Sequence, residues 1–476
     1  MRTDHLIGGE RVPSRDRFED RSPIDETVIA AVARGDAGAV DAAVGAAREG
    51  FATWGRTPPD ERAKALHRVA DLVEQRVEQL AAVETRDNGS LLRSHRRSVM
   101  PRVARNFRFF ADKLLSLDGS ADAIFNGHAE RVTWDPSGVT AVIGPWNAPL
   151  MLATWRIAPA LAAGAAVVHK PPEWAPLSAS MLGDIALEAG LPPGAYNVVQ
   201  GIGEEAGAAL VAHPGVARIA FTGSVETGRV VAAAAAANLT PTSLELGGKS
   251  PFVIFADADL DAAVRQAIGQ FDNAGQVCLA GTRLLIERSI YDEFLGRFVS
   301  AAADLVQGDP REEATDIGPL IARQHFERVD GFVRAGIAEG AKPLVGGGPN
   351  DDLGGLYYRP TLFVDAPAGS ALLTREIFGP VLTAQPFTDE AEAIDLANDT
   401  DYGLAATVYT GDLERARRVS EQLVAGTVWV NCFFVRDLDA PFGGSRNSGI
   451  GREGGSWSFD FYADVKNVVT APPSGG

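Results

Sequence analysis

Cysteine is nearly absent, with only Cys278 and Cys432 in 476 residues. So few thiols in so long a chain exclude a disulfide scaffold. Long apolar runs are missing too. The longest candidate, the alanine-rich stretch from Arg229 to Asn238, is far shorter than the roughly 18 to 20 residues that span a bilayer. The opening MRTDHLIGGE has no apolar core of signal-peptide length. Positive charge is in deficit: 44 Lys and Arg against 62 Asp and Glu give a net charge of −18. A chain of that sign lacks the concentrated basic surface that nucleic acid requires. What is present is ordinary for a packed protein: 46% apolar and 22% charged residues. The length suits two or three domains. These features predict a cytoplasmic, enzyme-sized protein with free thiols, and no nucleic-acid, membrane or metal partner.

No fixed repeat runs through the chain. The stretch from Val40 to Asn88 reads as helices broken at Thr57, Pro58 and Pro59. Asn106 to Leu117 reads as another helix. From Val139 the texture changes. Apolar strands at Val139–Ile143, Ala165–His169, Tyr196–Val199, Ala217–Phe221 and Thr242–Leu246 alternate with helices near Pro149–Ala163, Ser178–Ala189, Glu204–His213 and Val225–Ala237. Five strands interleaved with four helices predict βαβ crossovers and a parallel sheet covered on both faces. A second alternating block runs from Phe252 to about Val430. Two weaker signals follow: a hairpin over Ala121–Trp134, and a tail strand over Phe461–Thr470 that could add to another subunit.

Chemistry-bearing residues gather at predicted strand ends. Cys278 stands between Gly275 and Gly281, where the backbone can turn tightly and approach a ligand. A lone cysteine is more often a small buried apolar residue, and a thiol becomes a nucleophile only as thiolate. Glu245, in Leu-Glu-Leu-Gly-Gly-Lys-Ser (244–250), ends an apolar strand; it suits a ligand-facing carboxylate or a helix cap equally. Asn147, in Ile-Gly-Pro-Trp-Asn-Ala-Pro (143–149), offers an amide donor to an oxyanion, or a cap to the next helix. Phe-Thr-Gly-Ser-Val-Glu-Thr-Gly (221–228) opens a helix, a natural phosphate site, though it lacks the dinucleotide fingerprint. Lys170 and Glu173, in His-Lys-Pro-Pro-Glu (169–173), suit ribose hydroxyls or solvent. Three of these clusters end successive strands of one sheet and Glu245 ends a fourth, along the edge where a dinucleotide lies in open α/β folds.

Taken in order, PWNAP, KPPE, FTGS, ELGGKS, GQVC, EIFGP and PFGGSRNSGIGRE resemble the aldehyde dehydrogenase superfamily, from about residue 20 to the end. The resemblance implies an α/β protein with a Rossmann-type parallel cofactor sheet, an α/β catalytic domain and a small β oligomerisation arm. Residues 1–118 and 137–246 would bind NAD(P), 247–440 would carry catalysis, and 119–136 with 455–476 would form the arm. Cys278 matches the nucleophile, Glu245 the general base and Asn147 the oxyanion donor. Lys170 and Glu173 match the ribose contacts, Ser224 a pyrophosphate contact, and Glu376 and Phe378 the pair that holds the nicotinamide riboside. Trp146 and Gly203 match positions lining the cofactor groove. Ile143, Pro145, Gly207, Phe221, Thr222, Gly223, Thr227, Leu246 and Gly247 complete the expected cofactor surface. The implied cofactor is NAD: Glu173 disfavours a 2′-phosphate, although NADP is accommodated by many relatives with this glutamate. The implied partners are a small aldehyde and further copies of the chain, as a dimer or tetramer. Glu245 and Cys278 lie 33 positions apart, one fewer than is usual in the family, which places a deletion near Gly269–Ala274. His325 replaces a Gln common near the nicotinamide ribose and is not assigned to the site.

The stretch Trp-Val-Asn-Cys-Phe-Phe-Val-Arg-Asp-Leu-Asp-Ala-Pro-Phe-Gly-Gly (429–444) is similar to the hydroxymuconic and aminomuconic semialdehyde dehydrogenases of aromatic degradation. In that branch two arginines clamp a substrate carboxylate, and Arg436 and Arg102 match them. Arginine suits such bidentate work. The alternative for Arg436 is a surface pair with Asp437 or Asp439. Met151, Trp155, Phe271, Phe433 and Phe434 form an apolar lining that suits an uncharged aromatic or terpenoid aldehyde. The substrate surface is expected to include Arg102, Arg436, Trp155, Phe434, Val277 and Leu279. A CoA-acylating relative would usually lack the base. A catalytically inactive binding or structural homologue would have lost the nucleophile or the base, and both are intact here.

Overall fold

Apolar runs too continuous for a half-exposed sheet find their place inside the molecule. The computed structural model describes residues 2–117 and 123–472. Five strands, Val139–Ile143, Ala166–Lys170, Tyr196–Val198, Arg218–Thr222 and Thr242–Glu245, pair in parallel. The first two are buried along their whole length, because helices cover both faces. Val139–Ile143 lies in the middle, with Ala166–Lys170 on one side and Arg218–Thr222 on the other. The winding reverses there, and such a reversal opens a crevice at the carboxyl ends of the strands.

Three short strands extend this sheet beyond the sequence expectation. His5–Ile7 and Glu10–Val12 add antiparallel at one edge, and Gly449–Ile450 at the other. Arg17–Arg21 and Val28–Ala33 form a separate ribbon. None of the four N-terminal strands gives a clear alternation in sequence, being only three to six residues long. Helix boundaries also move. The helical region beginning at Ala37 breaks at Arg76 as well as before Pro59, giving Ala37–Trp54, Pro59–Gln75 and Val77–Asn88. Asp36 caps the first by accepting from the Ala39 N–H. The helix expected from Asn106 starts earlier, at Met100, after a π-helical turn over His95–Val99. That turn carries buried His95 toward the interior and bears one wall of the cavity described below.

The second block forms a seven-stranded sheet. Pro251–Ile254 and Arg283–Glu287 lie side by side at its centre. Only Lys342–Val345, at one edge, runs antiparallel. In the third sheet, Ala123–Phe125 and His128–Pro136 form the hairpin expected from the sequence, whose first residues, Ala121 and Asp122, lie outside the described ones. The tail strand Ala463–Thr470 pairs along its full length with His128–Pro136 of its own chain. Val465, Val469, Ile124 and Phe125 leave this sheet broadly exposed. Among the described residues, no helix is long and apolar enough to cross a membrane.

Candidate active site

Four strands end together at one edge of the parallel sheet, at Ile143, Lys170, Thr222 and Glu245, because strand register puts them there. Ile143 stands opposite both Phe221 and Lys170, and Thr222 stands opposite Glu245. Beyond that edge the chain closes a cavity of about 410 Å³, lined by Asn147, Thr222, Glu245, Cys278, Arg102 and Arg436 among others. That volume lies in the range of small-molecule pockets.

Cys278 follows an irregular loop, Gly269–Gly275, in which Asn273 and Ala274 both take left-handed φ, 50° and 54°. Gly275 lies so close to Gly379 that a Cβ would fall 2.1 Å from its carbonyl oxygen, so only glycine fits. The segment expected to carry the one-residue shortening is thus the strained turn that delivers the cysteine. Asn147 Nδ2 donates to the Gln276 carbonyl at 2.9 Å, and Asn273 Nδ2 donates to the Asn147 carbonyl at 3.1 Å. Gln276 Oε1 in turn accepts from the Ile321 N–H at 3.0 Å. This lattice fixes Asn147 beside the cysteine turn. Burial pushes the Cys278 thiol up to about 12, helped by Glu376 and Glu245 and opposed by Arg436.

Glu245 is 6% exposed, and its Oε1 has no hydrogen-bond partner within the protein. Burial and then the neighbouring Glu453 hold its carboxyl well above the ordinary carboxylate range, against Arg156, Arg436 and Arg452. Arg156 and Glu453, both buried, form an ion pair at 3.2 Å behind it. Glu453 belongs to the quoted motif PFGGSRNSGIGRE, yet nothing in the sequence tied it to Glu245; the strand Gly449–Ile450, pairing beside Thr242–Glu245, brings it there.

Arg102 and Arg436 converge on one ring. Their guanidinium carbons lie 5.4 and 4.8 Å from the Trp155 centroid, and Arg436 also lies 3.6 Å over Phe442. Arg102 Nε donates to Asn106 Oδ1 at 2.8 Å, while Arg436 Nη2 is buried with no partner. The alternative pairing with Asp437 or Asp439 is absent: Asp439 instead holds Lys113 at 2.7 Å. Burial lowers Arg436 to about 10 and Arg102 to about 9, the latter helped by Arg436 and Arg105. Val277, Leu279, Trp155, Phe434 and Met151 line the same cavity. The expected apolar lining is corrected at two positions. Phe271 turns into the core against Phe298, 6.0 Å between centroids, and Phe433 packs on Trp429 at 5.1 Å.

The residues matched to cofactor contacts lie along the same sheet edge. Lys170, buried, meets Glu173 at 2.8 Å. Gly203 faces Glu173, where an added Cβ would stand 3.7 Å from Oε1, and Gly207 faces the Lys170 stem. Ser224 caps the helix Val225–Ala236, accepting from the Thr227 N–H at 3.1 Å. Phe221 closes over Gly223, and Leu246 packs in the core cluster that also holds Ile143. Glu376 accepts from the Gly248 N–H at 3.0 Å, and a Cβ on Gly247 would strike its carboxylate at 2.0 Å. Phe378 takes a left-handed φ of 61°. His325, which the sequence left unassigned, lies at this place: it hydrogen-bonds the Phe378 carbonyl at 2.7 Å and packs 5.1 Å from Trp146. Arg328 donates to the Ile377 and Glu376 carbonyls at 2.5 and 2.7 Å. Trp146 also meets Phe378 edge-on at 5.2 Å, and Pro145 precedes it in the turn. A sheet edge with a buried lysine paired to a part-exposed glutamate, glycines that permit close approach, and an unpartnered Thr222 hydroxyl fits a dinucleotide.

Residues 11–468 match the aldehyde dehydrogenase family. The chain is 44% identical to a hydroxymuconic semialdehyde dehydrogenase of Pseudomonas sp. (strain CF600), over 98% of each chain. It is 42% identical to an aminomuconic semialdehyde dehydrogenase of Danio rerio, over 98% of this chain and 97% of that one. Among solved structures, an indole-3-acetaldehyde dehydrogenase complexed with NAD+ superposes with a TM-score of 0.96 at 38% identity, covering 98% of this chain and 96% of the other. The chain therefore belongs to the aldehyde dehydrogenase family, nicotinamide-dependent oxidoreductases that take an aldehyde to its acid.

Proposed function

We propose that the chain oxidises a carboxylate-bearing semialdehyde through a covalent intermediate on Cys278, hydrolysed by water that Glu245 activates. The observation that carries this reading is the meeting of Cys278, Glu245, Asn147 and two unneutralised arginines on one cavity. The Cys278 sulfur bonds to the aldehyde carbon, and its proton leaves to solvent. The carbonyl electrons move onto oxygen, where Asn147 Nδ2 and the Cys278 backbone N–H donate to the oxyanion. Lys170, Glu173, Glu376 and Phe378 would hold NAD+, which would supply the two-electron oxidation by taking up the hydride; NADP is the alternative cofactor. Glu245 then takes a proton from water as the water oxygen attacks the thioester carbon. The C–S bond breaks, the thiolate leaves, and the acid departs.

The two named relatives act on muconic semialdehydes, and the Arg102–Arg436 pair supplies a chemical reason for the same class here: a carboxylate offsets part of their combined charge and accepts from both forks. An apolar aromatic or terpenoid aldehyde is the second reading, favoured by Trp155, Met151 and Phe434 on the wall. In this reading residues 1–118 and 137–246 bind the cofactor, 247–440 complete the catalytic half, and 119–136 with 455–476 join copies of the chain as a dimer or tetramer in the cytoplasm. Cys278→Ala should abolish NADH production with every aldehyde tested. Retained turnover would overturn the nucleophile.

A further inference from the structure

The helix Val77–Asn88 ends on three buried polar side chains, Glu84, Asp87 and Asn88, none of which the reaction above employs. Glu84 and Asn88 are four residues apart and so share one face of the helix. They meet the two ends of one short loop. Asn88 Nδ2 donates to the Asn147 carbonyl at 3.5 Å, and Glu84 Oε1 accepts from the Leu150 N–H at 2.8 Å. Pro149 opens the helix Pro149–Ala162 and has no N–H, so Leu150 carries the first backbone donor there that needs a partner. Glu84 supplies it. Asp87 makes the same kind of bond to a different helix: its Oδ2 accepts from the Leu177 N–H at 2.9 Å, at the start of Leu177–Glu188.

Glu84 is fully buried, and burial pushes its carboxyl up to about 7 against the Ser178 hydroxyl and the Leu150 N–H. Its Oε2 lies 3.5 Å from Nδ1 of His95, which the π-helical turn His95–Val99 brings to the cavity wall. The carboxyl therefore sits one side chain behind the cavity, against the turn that carries Asn147. Asn147 Nδ2 has two hydrogens; the Gln276 carbonyl takes one at 2.9 Å, and the other is free for a substrate oxygen. A donor misplaced by about 1 Å can lose on the order of 100-fold in rate.

We infer that Glu84 and Asn88 are a positioning pair for the oxyanion donor: they hold both ends of the loop 147–150 and so fix where the Asn147 amide stands. Neither side chain is part of the cavity lining, so the pair acts through Asn147. The inference rests on the oxyanion role given to Asn147 in the preceding section. Removing Glu84 then slows the addition of Cys278 and the loss of hydride, on every aldehyde alike, and spares binding of the aldehyde.

Two probes test it: adipic semialdehyde, which carries one carboxylate, and hexanal, which carries none. The readout is the rate of the first NADH formed, in stopped flow at saturating NAD+ with enzyme in excess, beside steady-state kcat and KM. Glu84→Ala should slow that turnover roughly 10- to 100-fold on both probes, with KM changed by less than about threefold. Glu84→Gln keeps an acceptor oxygen for the Leu150 N–H and should restore most of the rate. Glu84→Ala added to Asn147→Ala should slow the enzyme no further, because the group it positions is already gone. Asp87→Ala, an equally buried loss at the other helix, should lower the melting temperature and leave the first turnover within about twofold of wild type. If Glu84→Ala does not fold, Asn88→Ala carries the same prediction. An additive double variant, equal slowing by Asp87→Ala, or a loss confined to the semialdehyde would overturn the pair. A wild-type rate in Asn147→Ala would remove the oxyanion role and this inference with it. Slow turnover there, with a wild-type rate in Glu84→Ala, overturns the positioning alone.

Discussion

At the scale of single residues, charge and burial set the chemistry. Glu245 is buried beside a second carboxyl group, so the folded protein favours its protonated form. Its folded-state pKa stands above that of the unfolded chain, so its stabilising contribution is complete at acid pH and is lost as pH rises through the raised value. Glu245→Gln removes an ionisation that the fold resists. The variant should unfold at higher temperature than wild type above neutral pH, with the gap closing in acid; a thermal melt series across pH checks this. The gain is expected to be on the order of 1 kcal/mol, as where an active site is relaxed at the cost of function. Arg436 acts on the neighbouring thiol in the opposite sense. Its charge lowers the Cys278 pKa against burial, so Arg436→Ala should slow iodoacetamide alkylation of Cys278 at pH about 8, by roughly the tenfold that one pKa unit represents. Equal alkylation rates would show that the guanidinium does not reach the sulfur. Arg436→Ala should also cost about 10- to 100-fold more in kcat/KM on adipic semialdehyde than on hexanal, whose smaller loss reports the thiol effect alone, the difference being the scale of a hydrogen bond to a charged group.

Elements decide how those residues meet. The helix Arg323–Ala338 holds the Glu376–Phe378 turn by three bonds from His325 and Arg328 to its backbone carbonyls. Phe378 sits in a left-handed conformation that costs about 1–3 kcal/mol, so the clamp keeps it there. Arg328→Ala should therefore raise the KM for NAD+ several-fold with less change in kcat, read from cofactor titration at saturating aldehyde. The strand ends carrying Asn147, Lys170, Ser224 and Glu245 were legible, because apolar runs of strand length bounded by glycine and proline mark parallel strands in any buried sheet. The N-terminal ribbon and edge strands were not legible. Strands of three to six residues with mixed burial leave no period to read. His325 stands where the resemblance expects a Gln, and nothing local in the sequence announces its contact with Phe378, 53 residues away. Phe271, counted in the expected apolar lining, instead packs in the core against Phe298, ahead of the left-handed turn at Asn273 and Ala274.

At the scale of the whole molecule, the C-terminal segment ties the parts together. Gly449–Ile450 joins the cofactor sheet, Glu453 backs Glu245, and Ala463–Thr470 completes the third sheet with its valines exposed. An exposed strand edge with apolar side chains is ordinarily covered by another copy. Truncation after Tyr462 should lower the assembly state in size-exclusion chromatography with light scattering; an unchanged mass would remove the arm from the interface. The order of events on Cys278 unites these scales, and one variant isolates it. Intact-protein mass spectrometry of Glu245→Gln, mixed with NAD+ and adipic semialdehyde, reads the covalent state directly. The account predicts one NADH per chain in a burst, and an acyl adduct that peptide mapping places on Cys278. A chain that turns over without an adduct, or one acylated elsewhere, would contradict it.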